Sequence, residues 1–213
     1  METGSEKILI EYCHCPVLSL GPGRRAGIWV RGCSIHCPGC IAENLWSFDE
    51  SRARNVVDVA SEVEGFFRED GNLNGVTVSG GEPFDQPEAL IALLEKLRTK
   101  DIRDVLIYTG YDIAGIMRGN PEISELAAAV IGSPFKLGED TEDAWRGSSN
   151  QTLTVFDRRF SARYEKWRGT KKGPMQIAAF NGRVISIGIP RQADVPRMEE
   201  MIIAKMMGEG EAL

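Results

Sequence analysis

The segment GVTVSGGEPFDQPEALIALLEKLR, residues 75–98, constrains the fold more tightly than any other stretch of the chain. A β-branched run at Val76 to Val78 stops at paired glycines, Gly80 and Gly81. Leu90, Leu93, Leu94 and Leu97 then recur on one helical face. Asp85 and Glu88 form a D-x-x-E of the capping-box kind ahead of that helix. A strand that ends in a tight turn and passes directly into an amphipathic helix is half of a β-α-β unit.

The same pattern recurs on both sides. Residues 55–69 place Val56, Val59, Val63 and Phe66 at helical spacing, with Ala60 and Phe67 widening the stripe. DVLIYTG, residues 104–110, and LAAAVIG, residues 126–132, read as buried strands, with a short helical piece at Ile113 to Met117 between them. Alternation of this kind predicts an α/β domain of parallel strands with right-handed crossover helices, and ligands at the carboxyl ends of the strands.

The C-terminal part changes character. MQIAAF and RVISIGIP flank Asn181-Gly182, a two-residue hairpin turn, which predicts an antiparallel hairpin. A last amphipathic helix is expected from Asp194, with Val195, Met198, Ile202 and Met206 on one side. The basic run at residues 157–173 is read as a solvated helix and loop.

At 213 residues the chain suits one domain with a substantial core. A formal charge of −6 gives no broad basic footprint, so nucleic acid is not an expected partner. No apolar run approaches the roughly 20 residues of a membrane helix, and METGSEKILIEY lacks a secretory pattern. A cytoplasmic protein without membrane contact is expected. Its odd count of five cysteines, three of them within eight residues, argues against a disulfide framework.

Those three are Cys33, Cys37 and Cys40, in RGCSIHCPGC with spacing C-x3-C-x2-C. Structural zinc wants four ligands. His36 adjoins Cys37 and is poorly placed to share one metal with it, whereas Cys13, His14 or Cys15 offers a remote fourth ligand. A cubane iron-sulfur cluster held by three thiolates is the other reading, with one iron left open to an exogenous ligand. Cys13 and Cys15 alternate with Tyr12 and His14, which puts both thiols on one side of an early strand. Arg25 is expected to sit in a buried structural ion pair.

C-x3-C-x2-C followed by SGGEP at residues 79–83 resembles the radical S-adenosylmethionine superfamily. The lead-in GPGRRAGIWVRGCSIHCPGC, with YTGY at residues 108–111 and RGSSNQTL at 146–153, is similar to the glycyl-radical-enzyme activases, particularly those of anaerobic ribonucleotide reductase. The likeness runs with gaps from Gly21 to Leu153, and SIGIP also fits. Gly39, ahead of the third cysteine, agrees with this branch. Ala128 and Gly132 depart from it, because they stand where the activases carry acidic residues.

The resemblance implies a partial, TIM-like barrel of parallel strands extended by the C-terminal hairpin and helix: a single domain over residues 1–213, core about 21–156, extension about 157–213. It implies a 4Fe-4S cluster on Cys33, Cys37 and Cys40. S-adenosylmethionine would bind its open iron, with Gly80, Gly81 and Glu82 at the methionine end and Thr109 and Tyr111 as further contacts. Ser149 and Asn150 open the last core strand, either beside the cofactor or as a well-bonded turn. The loop before them, residues 133–147, is read as a lid or a passive surface loop. The implied chemistry is reductive cleavage to a 5'-deoxyadenosyl radical, fed by a flavodoxin or ferredoxin, which takes hydrogen from a glycine of a partner glycyl radical enzyme. The cofactor carries that chemistry, so no catalytic side chain is assigned. The alternatives are a peptide or small-molecule substrate, and a non-catalytic zinc or iron-sulfur module.

Overall fold

The computed structural model describes residues 6–180 and 183–196. Seven strands form one sheet in the order β3-β1-β2-β4-β5-β6-β7. They are β1 (Lys7–Val17), β2 (Arg25–Val30), β3 (Ala53–Asn55), β4 (Gly75–Gly80), β5 (Val105–Tyr108), β6 (Ala129–Gly132) and β7 (Thr152–Val155). The central four, β2-β4-β5-β6, run parallel, while β1, β3 and β7 pair antiparallel at the flanks. The sheet stays open, with β3 and β7 as its edges, as a partial barrel requires.

Helices α1 (Val56–Glu69) and α2 (Pro87–Thr99) are the crossovers into β4 and β5. Their apolar stripes pack on one face of the sheet. Val59, Val63, Leu90, Leu93 and Leu97 meet Ala26, Ile28, Val76, Val78, Val105 and Ile107 in one buried cluster. Each fully buried leucine or valine contributes about 1.5–3 kcal/mol, so this face carries most of the hydrophobic stabilisation. Short helices α3 (Ile113–Gly119) and α4 (Ile123–Leu126) connect β5 to β6, and Asp112 caps α3 by accepting from Gly115 N at 2.9 Å.

Between β6 and β7 no helix forms. Without a crossover the chain simply turns back, so β7 runs antiparallel, contrary to the parallel pattern expected for the core strands. The opposite sheet face is covered by the rest of the chain. Helix α5 (Ser161–Arg168) buries Tyr164 and Trp167 against Leu106, Ala129 and Ile131, so the basic run is not simply a solvated surface. The hairpin of β8 (Gln176–Phe180) and β9 (Arg183–Ile187) forms as expected, with Ile187 against Val17, Leu20 and Trp29. Its turn at Asn181-Gly182, and the part of the helix expected from Asp194 that would carry Met198, Ile202 and Met206, lie outside the described residues.

Arg25 is fully buried, 3.1 Å from Asp104 Oδ1. Its remaining donors reach Thr77 Oγ1 at 2.8 Å and the Val76 carbonyl at 2.6 Å. The structural ion pair expected of it is present.

Candidate metal and cofactor site

Parallel registration brings the carboxyl ends of β2, β4, β5 and β6 to one edge of the sheet, with Val30 opposite Gly80 and Tyr108 opposite Ile131. Four loops leave that edge: the cysteine loop, the Gly-Gly-Glu turn, the Thr-Gly-Tyr turn and the loop beginning at Ser133. The site is what these loops hold in common.

The cysteine loop is tied at its root. Gly32 N donates to Leu45 O at 2.8 Å and Cys33 N to Trp46 O at 3.0 Å. All three thiols are free, and Cys33 is the most buried. Cys33 sulfur accepts from the backbone N–H groups of His36 and Ile35, Cys37 sulfur from that of Phe135, and Cys40 sulfur from Ala42 N at 3.4 Å. Burial pushes the Cys33 and Cys37 thiols up, and Cys33 and Cys40 lie near enough to oppose charge on Cys37. His36 stacks on Trp46 at 4.5 Å between ring centroids.

Among the described residues no three His, Cys, Asp or Glu side chains are grouped to hold a single metal ion. A cubane distributes its thiolates over separate irons and needs no such convergence. Three free thiols on one loop, each already receiving an N–H of the kind that tunes cluster thiolates, fit an iron-sulfur cluster.

The paired glycines explain how the turn meets this loop. Gly80 has φ 112° and a Cβ there would come within 2.5 Å of Val30 O, while one on Gly81 would strike the Gly32 carbonyl. Close approach lets Gly81 N donate to Val30 O and Glu82 N to Gly32 O, both at 2.8 Å. The turn is thereby locked to the residues just before Cys33.

Glu82 is 2% exposed. Its carboxylate accepts from Phe84 N at 2.9 Å, Thr109 Oγ1 at 2.7 Å and Gly110 N at 2.7 Å. All three donors are neutral, and burial pushes its carboxyl up to about 7. Thr109 Oγ1 also accepts from Tyr111 N at 3.0 Å. Gly80, Gly81, Glu82, Thr109 and Tyr111 are thus brought together beside the cysteine loop.

Ser149 and Asn150 are not part of that group. Asn150 Nδ2 donates to Pro134 O at 2.9 Å, Ser149 N to Glu139 O at 2.8 Å, and Lys136 N to Ser148 Oγ at 3.1 Å. They brace the loop at residues 133–139, whose Phe135 N–H reaches Cys37. Their link to the site therefore runs through that loop.

The capping box does not form. Helix α2 starts at Pro87 behind Gln86 with no side-chain cap. Asp85 instead turns to the cysteine loop, accepting from Ser34 N at 2.6 Å, Ser34 Oγ at 2.9 Å and Tyr111 OH at 2.6 Å. Sequence reasoning missed Ser34 and misassigned Asp85, because D-x-x-E before a helix is a local pattern whereas these partners are 51 and 26 residues away. Gln86 likewise faces back, accepting from Leu9 N at 2.7 Å and donating to Arg31 O at 3.1 Å. Cys13 and Cys15 lie apart from the site; burial raises them to about 12 and about 11, with Glu62 and Arg54 beside the first and Asp70 and Arg24 beside the second.

Comparison with known proteins agrees with this geometry. The sequence model of the 4Fe-4S single cluster domain family matches residues 19–154. The chain is similar to the anaerobic ribonucleoside-triphosphate reductase-activating protein of Salmonella typhimurium, 26% identical over 144 residues, covering 62% of this chain and 89% of that protein. It is similar to the protein of the same name from Enterobacteria phage T4, 26% identical over 139 residues, covering 62% of this chain and 85% of that one. The pyruvate formate-lyase-activating enzyme of Streptococcus mutans is 36% identical over 146 residues, covering 66% of this chain and 56% of its own length. The matched span takes in all four loops at the sheet edge, and on that ground the chain belongs to the 4Fe-4S single cluster domain family.

Proposed function

We propose that this protein cleaves S-adenosylmethionine reductively at a 4Fe-4S cluster and removes a hydrogen atom from a glycine of a partner glycyl radical enzyme. The observation that carries the reading is the cysteine loop locked through Gly32 to the Gly-Gly-Glu turn, with N–H donors at all three sulfurs. Cys33, Cys37 and Cys40 would hold the cluster. When bound, the cluster and S-adenosylmethionine supply the one-electron chemistry.

The protein's own part is positioning. The backbone of Gly80 and Gly81 would border the methionine end of the ligand. Glu82, whose protein donors are all neutral, is the group suited to answer an ammonium. Thr109 is held against Glu82, which fixes the turn carrying Tyr111. The braced loop at 133–139 shields the Cys37 side, and Ser149 and Asn150 contribute by holding it. The names of the relatives support a glycyl radical enzyme as partner. A flavodoxin or ferredoxin would deliver the electron, and the chain would act as one cytoplasmic domain. Among the described residues no helix is long and apolar enough to cross a membrane.

A second reading, a peptide or small-molecule hydrogen donor, is favoured by two observations. Residues beyond the matched span pack directly on the sheet face opposite α1 and α2, and Gly132 leaves no room for an acidic side chain against Ile113 and Tyr111.

The test is anaerobic reconstitution with iron and sulfide, then reduction with S-adenosylmethionine present. The expected product is 5'-deoxyadenosine, absent with Cys37→Ala, and formed faster when a candidate glycyl radical enzyme is added, with a glycyl signal in electron paramagnetic resonance. An intact cluster that cleaves nothing would sink the reading; cleavage with no glycyl signal would favour the second one.

A further inference from the structure

The turn that follows the glycines sends three polar side chains away from its own helix. Glu82 holds the Thr-Gly-Tyr turn, Asp85 grips Ser34, and Gln86 bonds β1 and the residue after β2. Of these, Asp85 alone reaches the cysteine loop and the Thr-Gly-Tyr turn together. Its two oxygens divide the work. Oδ2 accepts the Ser34 amide at 2.6 Å, while Oδ1 accepts Ser34 Oγ at 2.9 Å and Tyr111 OH at 2.6 Å. Ser34 Oγ and Tyr111 OH are also 3.0 Å apart, so the three side chains close a small ring.

Ser34 is the residue immediately after Cys33, and the grip therefore fixes the chain direction as it leaves the first cysteine. Hydrogen bonds to a carboxylate are roughly twice as strong as those between neutral groups. The same carboxylate places negative charge beside the Cys33 sulfur. Negative charge near an iron-sulfur centre disfavours the added electron and lowers its reduction potential.

We propose that Asp85 is a positioning residue of the cluster site: its carboxylate ties Ser34 to Tyr111, setting the Cys33 end of the cysteine loop and holding the cluster's reduction potential down. This rests on the reading of Cys33, Cys37 and Cys40 as cluster ligands. It also makes the cysteine loop and the Thr-Gly-Tyr turn a single mechanical unit, because Tyr111 cannot shift without pulling on Ser34.

Two measurements test it on the full chain. In the protein without metal, hydrogen exchange at the Ser34 amide should be about tenfold faster in Asp85→Asn and faster still in Asp85→Ala, the size expected for weakening one charge-assisted bond. In the reconstituted protein, potentiometric titration followed by electron paramagnetic resonance should place the Asp85→Asn midpoint above that of wild type. Tyr111→Phe, which keeps the charge, should leave the midpoint nearer the wild-type value. Asp85→Asn retains an acceptor and the side-chain shape, so it guards against a variant that fails to fold; circular dichroism checks this. An unchanged midpoint in Asp85→Asn with full iron content would overturn the proposal, as would wild-type exchange at Ser34. If wild type assembles no cluster, the cluster reading has failed, and the exchange experiment still decides the tie.

Discussion

Two buried carboxylates stand at opposite ends of the β4-β5 pair, and they are treated differently. Asp104, ahead of β5, is 3% exposed and is met by two guanidinium groups, Arg25 at 3.1 Å and Arg163 at 2.6 Å, with Tyr164 OH at 2.6 Å. Glu82, beyond β4, is equally buried and has only a hydroxyl and two backbone amides. One end of the sheet neutralises its charge internally. The other leaves a carboxyl that burial pushes up to about 7, whose charge state responds to its surroundings. The difference separates a structural centre from a responsive one in the same sheet.

The strongest way to break this contrast is at Asp104. Arg25→Met strands part of a buried ion network and should cost about 3–5 kcal/mol in urea unfolding. Loss of less than 1 kcal/mol would show that the Arg25 end is not the structural centre. At Glu82 the expected signature is pH. Its folded pKa is raised from 4.5 to about 7, so its favourable contribution is complete below 4.5 and drains away as pH rises through 7. Wild type should therefore lose on the order of 3 kcal/mol from this group between pH 4.5 and 8, and Glu82→Gln should remove that slope. Equal slopes in the two proteins would erase the distinction.

Smaller effects sharpen it. Gly81→Ala forces the turn off the Gly32 carbonyl and should cost about 1–3 kcal/mol in thermal unfolding, with reduced iron retention after reconstitution. Tyr111→Phe removes one hydroxyl from a half-exposed ring of bonds and should cost about 1 kcal/mol. A larger loss for Tyr111→Phe than for Gly81→Ala would mean that the side-chain ring, and not the backbone lock, holds the two turns together.

What could be read from the sequence follows the range of the forces involved. The strand, turn and helix of residues 75–98 are written in short-range periodicity, and the core forms there as the leucine spacing predicts. The Gly-Gly-Glu turn was legible as the end of a strand, and the three thiols through the family resemblance that their C-x3-C-x2-C spacing carries. Asp85 was not, because its nearest sequence pattern favours a cap while its partners come from two other loops. Tyr164 and Trp167 were hidden by neighbouring charges in a basic run, although tertiary contact buries both. The direction of β7 depended on whether a helix would form across residues 133–151, a question of loop bonding that periodicity does not address.

The counter-ions of Asp104 have a consequence for how this molecule can be taken apart. Arg25 lies inside the span shared with the family, but Arg163 and Tyr164 lie beyond residue 154, on α5. A chimera joined after residue 154 would keep Cys33, Cys37, Cys40 and both turns of the site, yet sever a guanidinium and a phenol from the charge they answer. The boundary that sequence relatedness draws and the boundary at which this protein can be cut are different places.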